Sequence, residues 1–361
     1  MQRTLVLIGA VAVVTLGLVL WTMRPAARPS TGPSEVGSTA TGRAAVVGTG
    51  DAPSRATDAG RLDGGVGART VLAHFGWGSG EGQLGRNRPQ EANPEGPMSL
   101  TIDSRGQVYV VDQVNNRVVK LDRDGKPAGS VPLTVQAPQD VAIAKDGTMV
   151  VMDRLVDHSL ALIGPDGTPR GELPLLGKGL EEVGGSTGVF TDGNDVYVER
   201  EHGDLVKVGD TSGARDTERG EVPGRPSRDG TAYLSATLGD HSQGQVLVTA
   251  IDKASRAHRF TRQVVMGPPV LALTFLDSDR SGVIYVAGLV ETPQSTAEAP
   301  RYSLSLMCLD PLDGHPLGQV ALPPNESADE TFRELAVSDE GGVLFLQRTE
   351  EGAQLVRVGC P

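Results

Sequence analysis

A chain of 361 residues ordinarily holds two domains unless it is built of repeats. Its 47 Gly and 24 Pro, with aromatic residues at only 4%, point to short strands joined by tight turns. Charge is uneven: residues 1–69 carry seven Arg, no Lys and four acidic side chains, whereas the rest carries 26 basic against 41 acidic, a net of -15. Such a surface repels phosphate backbones, so no nucleic-acid partner is expected.

Thr4–Met23 is uncharged over twenty residues. At ~1.5 Å per residue a helix there reaches ~30 Å, enough to cross a bilayer. Arg3 precedes it, Arg24 and Arg28 follow, and Trp21 suits the interface. Residues 1–23 are therefore expected to be an uncleaved signal anchor. The competing reading is a signal peptide cleaved after Ser38-Thr39-Ala40, a better small-x-small site than Pro25-Ala26-Ala27. Both readings export the C-terminal domain. The expected location is anchored to the inner membrane with the remainder in the periplasm or outside the cell, or secreted if cleavage occurs. Residues 24–69 lack apolar periodicity and read as a disordered linker with an r.m.s. reach of roughly 35–40 Å.

From residue 70 onward the chain reads as repeats. In the first unit, Pro97–Asp103 alternates like a strand and Ser104-Arg105-Gly106 turns. Gln107–Asp112 and Arg117–Asp122 are two more strands, and a weaker fourth runs to about Leu133. Four antiparallel strands with short turns make one propeller blade. Val108-Tyr109-Val110-Val111-Asp112 followed by Asn115-Asn116-Arg117-Val118 closely resembles the NHL repeat. The Gly-rich stretch Phe75–Leu84 is similar to that family's connector between blades. The match is specific over about 74–134 and continues later only as a pattern.

Unit two contains Val141–Ala144 and Met149–Asp153, and unit three Gly188–Phe190, Asp195–Glu199 and Leu205–Val208. Unit four is irregular, starting with Ala232–Leu238 and then Gln245–Ile251. Unit five contains Leu271–Leu276, Val283–Val286 and Ser303–Leu309, and unit six Arg333–Val337, Val343–Leu346 and Gln354–Val358. Unit six stops one strand short, and Thr70–Phe75 is spare. The expected fold is an all-β, six-bladed β-propeller of NHL type over residues 70–361, with the N-terminal strand closing the last blade. The vagueness of unit four leaves five or seven blades open.

Several motifs have two readings. Asp112, Asp153 and Glu199 recur at the end of the second strand; they either ring a ligand or accept turn N–H groups, and the repetition favours the turn. Gly184–Gly188 spells G-x-S-x-G, but a Gly-rich loop leads into a strand where a nucleophile elbow needs a helix. Asp157-His158-Ser159 and Asp240-His241-Ser242 cannot assemble a triad locally, because neighbours in a strand point apart. Asp277–Gly282 begins like a calcium loop, yet its twelfth position is Gly288. The six His are scattered, with no blade expected to cluster two metal candidates, so no catalytic residue, metal site or cofactor is assigned. A divalent metal in the channel stays open. Cys308 and Cys360 hold similar places in neighbouring units and are a candidate disulfide in an oxidising compartment.

The second-to-third-strand turns and the inter-blade connectors share one face. The longer segments Ser79–Pro97, Gly177–Thr187, Pro223–Asp229, Glu291–Pro300 and Pro323–Thr331 are expected there. Arg117, Arg154, His158, Arg200 and His202 follow second strands and are the candidate ligand-binding side chains, against the alternative of plain solvated turns. The NHL resemblance implies interaction more often than catalysis. The expected function is a membrane-tethered module that binds a protein or peptide in the cell envelope. The alternative is a metal-dependent lyase or lactonase-like hydrolase with its site in the channel.

Overall fold

A computed structural model describes residues 69–361 except 268, 297–300, 323–324, 326–328 and 361. The expected anchor at 1–23 and almost all of the linker at 24–69 lie outside the described residues. No helix of the described residues is long and apolar enough to cross a membrane.

Six antiparallel sheets form, one per repeat, which makes the fold an all-β six-bladed propeller. Blade one is Ser99–Ile102, Val108–Asp112, Arg117–Leu121 and Pro127–Pro132. Blade two is Asp140–Ile143, Met149–Asp153, Ser159–Ile163 and Pro169–Pro174. Blade three is Ser186–Asp192, Asp195–Arg200, Leu205–Asp210 and a two-residue fourth strand, Glu221–Val222. Blade five is Val270–Ser278, Ile284–Glu291, Tyr302–Leu309 and Pro316–Ala321.

Blade six supplies Leu335–Val337, Val343–Arg348 and Gly352–Val358 from the C-terminal end. Its fourth strand is Arg69–Trp77, paired antiparallel with Gly352–Val358 from Arg69↔Val358 to Gly76↔Gly352. The ring is thus closed by the early strand. Gln83–Leu84 adds in parallel outside it.

Blade four corrects the sequence reading. Ala232–Leu238 is its second strand, and Gln245–Asp252 and His258–Val265 are its third and fourth. The innermost strand is Arg225–Pro226, only two residues long and too short to show alternation. The segment Pro223–Asp229 is therefore not a connector alone: it holds this strand and starts the turn after it. Gly224 makes the entry possible, because its φ is +135° and a Cβ there would lie 2.2 Å from the Leu234 carbonyl oxygen.

The first-to-second-strand turns repeat one device. Asp103 Oδ1 accepts from the backbone N–H of Arg105 at 2.9 Å and of Gln107 at 2.8 Å, and Asp279 does the same for Ser281 and Val283. A short acceptor fixes the turn locally, which explains why Asp and Gly punctuate every unit. The calcium-like stretch Asp277–Gly282 is the end of blade five's first strand followed by such a turn on Asp279. Cores lie in the seams between blades, where Val and Leu from facing sheets interdigitate. Cys308 and Cys360 are joined in a disulfide, with Cα atoms 6.2 Å apart, across the seam of blades five and six.

Candidate functional site

In each blade the first strand runs down the channel from the connector face to the opposite, turn face. On its connector side the channel carries buried charge paired across blades. Phe190, on the first strand of blade three, lies between two guanidiniums: Arg225 at 4.5 Å and Arg333 at 4.6 Å from its ring centroid. Each arginine has its own carboxylate. Arg333 pairs with Asp140 of blade two, whose other oxygen accepts from Ser99 Oγ of blade one. Arg225 pairs with Glu199 at 2.8 Å. Five blades thus contribute to one cation–aromatic–cation stack.

Glu199 is 2% exposed. Burial pushes its carboxyl up, but the Arg225 charge and hydrogen bonds from His202, Arg225 and Thr187 outweigh this and hold it down at about 2. These partners stabilise the anion in a place where an unpaired charge is costly. Asp140 and Glu199 do not suit a divalent cation, since an arginine already occupies each. Above Glu199 a cleft of about 50 Å3 opens between blades three, four and five, walled by His202, Leu234 and Leu273.

The sequence-derived candidates separate into two groups. Arg117 is committed to the fold: Nε donates to Asp112 at 2.8 Å, while Nη1 and Nη2 donate to the carbonyls of Ser79 and Gln83 at 3.0 and 2.8 Å. Arg154 donates to the Ser186 carbonyl at 2.8 Å and stacks on Phe332 at 5.0 Å. Burial lowers its basicity, with Glu330 opposing. Arg200 reaches Glu221 at 3.0 Å, and its guanidinium stays about one-third exposed. His158 and His202 are exposed and hold left-handed backbone, with φ of +51° and +58°. His202 touches Glu199 at 3.5 Å. The five therefore share a face but form no single cluster.

Three exposed aliphatic side chains lie on the loops that meet at His158. Leu155 and Val156, in the turn that holds His158, are 56% and 49% exposed, and Leu176 of the next connector is 49% exposed. The Leu175 N–H donates to the His158 carbonyl at 3.0 Å, which brings the two loops side by side. Arg219 fixes the connector from behind, donating to the carbonyls of Pro174, Leu175 and Leu176 at 2.6–2.9 Å.

Two of the three recurrent acids behave as turn or connector acceptors; Glu199 does not, because its partners are the side chains of Arg225, Thr187 and His202. Asp112 accepts from Gly85 N–H, Asn115 and Arg117, each at 2.8 Å, and Asp153 accepts from the N–H of Ala137, Leu155 and Val156. Ser186, in the G-x-S-x-G stretch, is fully buried and begins a strand after a single 3-10 turn. Blade five does bring metal-type donors together, contrary to the scattered pattern expected: ligand atoms of Asp310, Asp313 and His315 lie within 4.8 Å in one exposed turn. Their oxygens serve that turn, with Asp310 accepting from Leu312 N–H and Asp313 from His315 and Arg262. Sequence reasoning missed Phe190, Arg225, Arg333 and Asp140. They meet only because the ring closes, and nothing local marks them.

No family model matches the chain, and no curated protein matches it. Solved structures are similar to it. Hydrazine synthase from Kuenenia stuttgartiensis is 16% identical, with 76% of this chain and 90% of that chain covered and a TM-score of 0.45. A DUF4221 member from Bacteroides vulgatus is 12% identical, covering 81% and 97%, with a TM-score of 0.47. Virginiamycin B lyase from Staphylococcus aureus is 11% identical, covering 77% and 99%, with a TM-score of 0.39. No activity is carried over from any of them.

Proposed function

We propose that the chain is a membrane-tethered, NHL-like propeller of the cell envelope whose connector face binds a protein or an extended peptide. The observation that carries the reading is the group Leu155, Val156 and Leu176, about half exposed on loops locked to a rigid scaffold. Apolar side chains held out on ordered loops and rimmed by polar groups are a common mark of an interaction surface. Burying the remaining halves of the three contributes on the order of 3 kcal/mol. Arg154, His158, Arg200 and His202 form the polar rim that orients a partner. The uncharged run Thr4–Met23 supports the tether, and the Cys308–Cys360 disulfide supports an oxidising compartment. A metal-dependent lyase draws no support from Asp140 and Glu199, each of which is already paired with an arginine.

The test is site-specific photo-crosslinking in living cells. A photoreactive residue at position 155 or 176 should give discrete adducts of higher mass. The same residue at position 312, where Leu312 is 82% exposed on the turn face, should give none. Adducts at 312 alone, or at none of the three, overturn the proposal.

A further inference from the structure

On the turn face, at the seam where blade six meets blade one, lies a cavity of about 210 Å3. Its floor is apolar: Ile102 and Leu344 are 5% and 2% exposed. Three guanidiniums stand at its wall, Arg105 from blade one's first turn, Arg123 from its third, and Arg357 from blade six. Two carboxylates also line it. Asp339 is already answered by Arg228 at 3.1 Å and Arg280 at 2.6 Å. Glu340 binds Arg123, whose Nη2 lies 2.9 and 2.8 Å from its two oxygens. Arg105 forms no ion pair among the described residues, and Arg357 donates to the carbonyl of Arg123 at 3.2 Å.

We propose that this pocket binds a compact oxyanion, a phosphate or carboxylate group, held by Arg105 and Arg357 and reached by Arg123. Glu340 acts as the resident competitor: it is an exposed carboxylate that already shows how such a group meets Arg123. Ser338 adds a hydroxyl. Its oxygen accepts from the Glu340 N–H at 3.4 Å, and its hydrogen remains available to an anion. Guanidiniums suit planar or tetrahedral oxyanions because several N–H groups point at one ligand. The acidic character of residues 70–361 does not cancel this site, since charges beyond about 8 Å are largely screened at physiological salt. The cavity is smaller than the roughly 300–1,000 Å3 of sites for drug-sized ligands, which limits the ligand to a small anion or an acidic terminal group. The proposal is independent of the connector-face reading.

Isothermal titration of the full chain with inorganic phosphate and with succinate, at constant chloride, tests it. Saturable binding of either anion is expected, and the tighter of the two identifies the phosphoryl or the carboxylate as the preferred group. Arg105→Ala and Arg357→Ala should each weaken binding about tenfold, the usual loss for one charge-assisted hydrogen-bonding partner. Arg105→Lys should restore part of it, which a misfolded variant would not. Glu340→Gln should act in the opposite direction, tightening binding by releasing Arg123. Absence of saturable heat with both anions overturns the proposal. So does wild-type affinity in Arg105→Ala, or weaker binding in Glu340→Gln.

Discussion

Among the described residues, twelve buried apolar side chains fill the seam between blade one and blade six, the blade in which the closing strand pairs with the C-terminal strand. The seam between blades three and four, which are consecutive in sequence, has a cluster of four: Tyr197, Leu205, Val222 and Tyr233. The other four seams have eleven to fifteen. Joining distant parts of a chain costs loop-closure entropy, so the closing seam needs strong contacts to exist at all. Adjacent blades are tethered covalently and can share a thinner interface. The three–four seam is tied instead by charge: Arg225 with Glu199, and Lys253 with Asp192. A short fourth strand in blade three and a two-residue first strand in blade four leave little apolar surface there.

The comparison breaks most severely if the closing seam is dispensable. Deleting residues 69–75 removes the fourth strand of blade six and Phe75 from the seam core. The expected loss is comparable to the whole ~5–15 kcal/mol that keeps a typical domain folded. A truncated chain that melts cooperatively near the parent temperature would contradict this. The next effect is smaller and sharper. Asp112 locks the connector that leaves the closing strand, through Gly85 N–H, and holds Arg117 on the same connector. Asp112→Ala should cost about 3–5 kcal/mol, because it strands a partly buried guanidinium and an N–H group. Thr237, exposed, occupies the corresponding register position in blade four, and Thr237→Ala should cost under ~1 kcal/mol. Denaturant melts of both variants check the contrast.

How much of this is legible in the sequence depends on the range of the interactions. The strands of blades one to three, the Asp-Gly turns and the closing strand can be read because each depends on residues within a few positions or on a missing partner. Blade four resists reading because Arg225–Pro226 is fixed by Gly224 and by pairing with Tyr233 and Leu234, not by its own alternation. The channel stack cannot be read. Ser99, Asp140, Phe190, Arg225 and Arg333 come from five blades, and their encounter is set by ring geometry. Arg117 looks like a free binding group in the sequence because its partners, the carbonyls of Ser79 and Gln83, are backbone atoms more than thirty positions away.

The three–four seam makes the subtlest prediction, because its main tie is a carboxylate. Glu199 is held at about 2, below its ordinary 4.5. A depressed acid stabilises the fold above its unfolded value, and that contribution disappears as pH falls through the folded one. At neutral pH it is worth about 3 kcal/mol. Turn hydrogen bonds also lower Asp210, Asp240 and Asp313, so the difference between wild type and Glu199→Gln is the quantity to measure. That difference should be largest near neutrality and shrink from about pH 5 to about pH 2. Hydrogen exchange should report the loss first at Tyr233 and Leu205, ahead of Leu100 and Leu355 in the closing seam. A gap between the two proteins that stays constant across that range would mean that packing, not the Arg225–Glu199 pair, holds blades three and four together.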